Sequence, residues 1–167
     1  MSATYFKYIA GFLFYLLLQV LILNNLYFLG WATPYLYVYF LMTLPKDLSP
    51  NVQLTIGLLM GFFLDLFSNT LGMNMTACVI IMFLRPYLLN LFGSRDDDYQ
   101  VPSFKTFGIG AFMRYATLMV LIHHIALNFI QFFSFDNLPF LLLRIVSGSL
   151  LTLFLIALIE AFNLMKK

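Results

Sequence analysis

Long apolar runs, broken by short polar or proline-marked links, occupy almost the whole chain. A helix crossing a hydrocarbon core needs about 20 apolar residues at about 1.5 Å rise each. Five runs reach or approach that length: Tyr5–Leu29, Val52–Phe67, Leu71–Phe92, Phe104–Phe133 and Leu138–Leu164. Between the first two lies Pro34–Leu44, bounded by Pro34 and Pro45. As a helix it would rise only about 16 Å, too little to cross unaided. It is either a short crossing extended through Lys46 to Pro50 or a re-entrant hairpin. The run after Lys7 continues from Phe12 to Leu23 and ends in Asn24-Asn25 rather than in a small-residue cleavage site, so a retained first helix is expected.

The basic residues bear on the count. With six crossings, Lys7, Lys46, Arg95, Lys105, Lys166 and Lys167 share one side, while the links near Leu29–Pro34, Ser68–Thr70 and Ser134–Asn137 hold no Lys or Arg. The positive-inside rule then places both termini in the cytoplasm. An even number of passes is needed to return the charges to one side, which favours counting Pro34–Leu44 as a crossing. The expectation is an all-α polytopic membrane bundle of about six transmembrane helices, the second short and proline-bounded, with residues 1–167 as one integral membrane domain.

Composition agrees. Hydrophobic residues make up 62% of the chain and charged ones 10%, against about 25% charged in a soluble domain, so lipid must be the solvent for most of the surface. The chain carries 20 Phe, 10 Tyr and one Trp, and its mean hydropathy is +0.93. A net charge of +2 leaves no electrostatic footprint for nucleic acid. The single cysteine, Cys78, excludes an internal disulfide and a cysteine zinc cluster. The longest link, Gly93–Ser103 with Arg95 and Asp96-Asp97-Asp98, is a solvated turn or a docking point for a cytoplasmic partner.

Polar residues inside apolar runs carry the candidate chemistry, because ionisable groups in lipid turn toward the bundle or a cavity. Arg114, Thr117, His124, Asn128 and Gln131 fall on one helical face, completed by Leu121. That stripe serves interhelical hydrogen bonding or a ligand or partner surface. The adjacent His123 and His124 point about 100° apart, unlike the i, i+4 spacing of a metal pair, so no metal is expected. Gln53, Gly57, Gly61, Asp65 and Ser68 share another face. The Gly-x-x-x-Gly pair lets a second helix approach closely, and Asp65 can cap the next segment or accept from an arginine. Depth along the helices matches Asp65 to Arg144, or alternatively to the loop Ser68–Gly72, and matches Arg85 to Glu160. The sequence shows no Ser-His-Asp set with loop context, no paired carboxylates in a plausible cleft, no phosphate-binding glycine loop and no Cys–His pair. A non-enzyme without a cofactor is expected.

The stretch Gly57–Gly72 has the form G-x-x-x-G-x-x-x-D-x-x-S-x-x-x-G, with Gly57, Gly61, Asp65, Ser68 and Gly72 at the marked positions. It resembles the signature of the rod shape-determining protein MreD family, as do the chain length, the six-helix hydropathy and the place of the motif after a short proline-bounded helix. Asn69-Thr70-Leu71 lacks the proline often found in that family's turn. The resemblance implies a non-enzymatic membrane scaffold of the bacterial cell-elongation complex. Its partners would be an MreC-like bitopic membrane protein, the MreB filament and peptidoglycan synthases (directly or indirectly), and membrane lipid. Under it, Gly57, Gly61, Asp65, Gly72, Arg85, Arg114, His124, Asn128 and Arg144 are the structural or partner-interaction candidates. The family is also similar in fold to the substrate-binding S components of energy-coupling-factor transporters, so a vitamin-binding subunit is the alternative. The short outer links, poor in hydrogen-bonding side chains, count against it.

Overall fold

The computed structural model describes residues 2–26, 32–93, 101–132 and 137–166. Seven α-helices lie among the described residues: α1 (Ser2–Leu21), α2 (Tyr37–Met42), α3 (Pro50–Ser68), α4 (Met73–Phe92), α5 (Phe104–Phe107), α6 (Ile109–Gln131) and α7 (Leu138–Met165). Five of them, the first extended to Asn25 by a 3-10 turn, are long and apolar enough to cross a membrane. Side chains are distributed as lipid solvent dictates. Phe6, Leu21, Leu66, Tyr87, Leu150 and Phe162 face outward, whereas Gln19, Gln53, Asp65, Arg85, His123 and Glu160 are buried.

Helix limits follow local chemistry. Ser49 caps α3 by accepting from the Val52 N–H, with Pro50 in the first turn, where a missing N–H costs nothing. Asn69 ends the helix in the left-handed region at φ 54°. Gly72, at φ 75°, starts α4, so that helix begins at Met73 rather than Leu71, which is left 94% exposed. The run expected as one helix over Phe104–Phe133 is two. Gly108 has φ 74°, a conformation incompatible with a continuous helix, and separates α5 from α6. A capping box between Ser103 and Thr106 starts α5. The first helix stops at Leu21 and is followed by a 3-10 turn, Leu23–Asn25. The ends expected at Leu29 and Phe133 lie outside the described residues, as do Arg95, Asp96–Asp98, Ser134 and Lys167.

The helices pack in sequence, α3 on α4, α4 on α6 and α6 on α7, with α1 against α3 and α2. Asn24 Nδ2 donates to Ser68 Oγ at 2.9 Å, joining the ends of α1 and α3. Lys105 Nζ donates to the Lys166 carbonyl at the opposite end. These are called the Asn24 end and the Lys7 end below.

The short second segment is the center of the bundle. Every residue of α2 is buried. Its flanks follow α1 from the level of Gln19, which donates to the Pro34 carbonyl, to that of Tyr8 and Ile9, which share a groove with Leu44 and Leu48. Irregular backbone survives at membrane depth only when protein satisfies its polar groups. Here the Leu36 N–H donates to Gln19 Oε1 at 3.0 Å and the Tyr35 N–H to Thr152 Oγ1 at 3.0 Å. The Met42 carbonyl accepts from Tyr115 Oη at 3.0 Å, and the Leu44 carbonyl accepts from Arg85 Nη2. With six helical residues, α2 rises only about 9 Å.

Candidate functional site

Three features could support function: the α3–α4 seam, the polar networks around α2, and the concavities these leave at the surface. The seam is built by the glycine–aspartate motif. A Cβ on Gly61 would sit 2.3 Å from Met75 Cα and 2.7 Å from the Asn74 carbonyl oxygen, so only glycine permits this backbone approach. At Gly57 the conflict is mainly with the Met82 side chain, 2.6 Å away. One turn beyond Gly61, the Asp65 carboxylate reaches the first turn of α4. Its Oδ1 accepts from the Asn74 N–H at 3.0 Å and its Oδ2 from the Met75 N–H at 2.9 Å. The side chains of Thr70 (2.7 Å) and Asn74 (2.9 Å) also donate to it. Asp65 thus supplies the cap that Gly72 lacks, with its negative charge at the positive end of the helix. The motif serves packing within the chain.

From Asp65 a chain of fixed proton positions runs inward. Asn74 Nδ2 donates to Asp65 and Thr70, so its Oδ1 accepts from Tyr37 Oη at 3.0 Å. The single Tyr37 hydroxyl proton is used there. His123 Nε2, 2.8 Å from Tyr37 Oη, must therefore be the donor of that second bond, and its Nδ1 is the unprotonated nitrogen. His123 is fully buried, and among the described residues Nδ1 meets no hydrogen-bond partner. No group of three metal-ligating side chains occurs among the described residues.

Both depth-matched ion pairs resolve differently. Asp65 takes the alternative partner, Thr70 of the loop Ser68–Gly72, together with the start of α4. The Arg144 guanidinium instead lies 4.3 Å above the Phe132 ring centroid. Nor do Arg85 and Glu160 pair. Arg85 Nη1 donates to Gln53 Oε1 at 2.7 Å, and Nη2 donates to the Met42 and Leu44 carbonyls, placing a cation where α2 ends. Glu160 accepts from Tyr39 Oη and, at 2.7 Å, from the Phe104 N–H, which anchors α5 to α7. Asp65, Arg85 and Glu160 each bond backbone groups, and Arg144 rests on an aromatic face.

The stripe on α6 divides. His124 and Asn128 are buried: His124 Nδ1 bonds the Val120 carbonyl at 2.9 Å and its Nε2 lies 3.4 Å from Thr152 Oγ1 of α7, while Asn128 Nδ2 donates to the His124 carbonyl of its own helix at 2.8 Å. Arg114 and Thr117 are exposed, and Arg114 Nε donates to the Gly110 carbonyl. The buried face of α6 runs through Phe112, Ala116, Met119, His123 and Leu127, leaving Arg114 turned away from the core.

Concavities open at the Asn24 end and along the flank. At the Asn24 end a polar cavity of about 300 Å³ is lined by side chains including Asn24, Thr33, Ser68, Gln131 and Arg144. A smaller one below it adds His124 and Asn128. Along the flank, an apolar groove of about 580 Å³ opens between α1 and α3, walled by Phe12, Leu13, Ile56 and Leu59 and floored by Phe40 and Leu44. Against family models, curated proteins and solved structures, the chain gives no match. Sequence reasoning missed Gln19, Tyr37, Tyr39, Asn74 and Thr152. A lone Gln inside the apolar run Phe12–Leu23 was the available signal for the first.

Proposed function

We propose that the chain is a membrane scaffold of the MreD type, holding a single-span MreC-like partner within a bacterial cell-elongation complex that supports lateral peptidoglycan synthesis and cell shape. On this reading the chain lies in the cytoplasmic membrane and passes six times, α2 with its flanks providing the second pass. Both termini, with Lys7, Lys105 and Lys166, face the cytoplasm. MreB and the peptidoglycan synthases join directly or through the partner.

The α1–α3 groove carries the reading. Helix association in lipid gains little from hydrophobicity and depends on packed contact. A concave seat with two helical walls and an enclosed floor gives an incoming helix more contact than a convex surface does. The half-buried Phe12 and the exposed Val52 border that seat, while the exposed Phe154 marks the outer face of α7. A photo-crosslinking residue at Phe12 or Val52 should capture one bitopic protein with a periplasmic coiled coil in cells, and one at Phe154 should not. Equal capture from all three positions, or capture of lipid alone, removes the reading.

A second reading, the small-molecule-binding S component, is favoured by the polar cavity at the Asn24 end. The helices contribute Asn24, Gln131 and Arg144 there, and Thr33 of the link before α2 joins them. Co-isolation of an ATPase together with a bound vitamin would support it over the scaffold.

A further inference from the structure

The cavity at the Asn24 end contains a cation whose role the scaffold leaves open. Arg144 is six residues into α7, about 9 Å below its start, and is only partly buried. Arginine at such a depth ordinarily pairs with a carboxylate or reaches toward the interface. Among the described residues it forms no ion pair, and the face of Phe132 supports one side of the guanidinium. Asp65, the buried carboxylate at the same end, is already committed to four donors at the start of α4.

The other polar groups in the cavity add donors without adding negative charge. Ser68 Oγ accepts from Asn24, which leaves its own hydroxyl proton to give. Gln131 and Thr33 border the same space, and among the described residues no carboxylate lines it. A planar guanidinium with neutral donors around it matches a tetrahedral oxyanion, which Arg holds through two parallel bonds. About 300 Å³ is room for a phosphate and a small substituent. The helix ends that frame the cavity lie where a bilayer carries its headgroups.

We propose that this cavity is a phosphate-binding site anchored by Arg144, the phosphate being either that of a lipid headgroup or free in solution. The inference is independent of the scaffold reading: a chain that captures no single-span partner can still hold the anion, and the reverse.

The test uses the full chain purified in detergent. Native mass spectrometry reads retained phosphatidylglycerol, and thermal unfolding is followed with added inorganic phosphate against chloride at equal ionic strength. Wild type should retain the lipid or be stabilised by phosphate. Arg144→Gln should weaken that binding about tenfold, the scale of one lost charge-assisted contact. Arg144→Lys should keep part of it, which holds the test open if the glutamine variant fails to fold. Arg114→Gln, at the opposite end, should behave as wild type. Retention of phosphatidylglycerol without a response to inorganic phosphate assigns the headgroup; a response to both assigns the free anion as well. Wild type that neither retains lipid nor responds to phosphate overturns the site. So does equal weakening by Arg114→Gln, which would mark bulk attraction between a basic protein and an anionic lipid.

Discussion

At the scale of single residues, the α3–α4 seam makes the sharpest claims, because two glycines of one motif meet different obstacles. Backbone cannot yield where a methionine side chain can. Gly61→Ala should therefore destabilise the protein by about 1–3 kcal/mol, the range for overpacking a close contact. Gly57→Ala should cost distinctly less, both read as thermal unfolding in detergent. Asp65→Asn replaces an acceptor facing two backbone N–H groups by one that presents a donor to them. An expected loss of about 1–3 kcal/mol follows, and Tyr37→Phe should cost a similar amount by leaving Asn74 Oδ1 and His123 Nε2 without their shared partner. Asp65 was readable as a residue that must find a partner. Depth along a helix is one coordinate and rotation about its axis is another. Only the first can be counted from residue numbers, which is why Arg144 matched in depth and still turned to Phe132.

At the scale of elements, α2 and α5 show what hydropathy conceals. Pro34 and Pro45 mark the second segment as short and unusual, yet whether a short apolar run faces lipid or is enclosed depends on which helices surround it. Gly108 lies in a continuous apolar stretch, and its break shows only in the left-handed backbone. Glu160 ties these two elements together through Tyr39 and the Phe104 N–H. Glu160→Gln keeps one acceptor but adds a donor, so α5 should detach from α7 while the membrane-length helices stay packed. Hydrogen exchange checks this: the Phe104 amide should exchange markedly faster, with amides in the middle of α6 unchanged. Faster exchange throughout α6 would instead make Glu160 a determinant of the whole bundle.

At the scale of the whole molecule, the arrangement is that of a protein whose solvent is hydrocarbon. Phenylalanine and leucine cover the outside, and the buried Asp65, Arg85 and Glu160 bond helix ends and carbonyls inside. The five long helices were plain in the hydropathy, since length and apolarity are properties of the chain alone. The groove between α1 and α3 was not, because a concavity arises from three elements far apart in sequence. On the proposed reading the chain threads the bilayer with α2 and its flanks as an enclosed return between α1 and α3. Single cysteines at Lys7, Asp47, Asn69 and Lys166, in a Cys78→Ala background, test that with a membrane-impermeant maleimide applied to sealed inside-out and right-side-out vesicles. Lys7, Asp47 and Lys166 should label together from one side and Asn69 from the other. Labelling of Asp47 from the same side as Asn69, or of all four positions from one side, would contradict it.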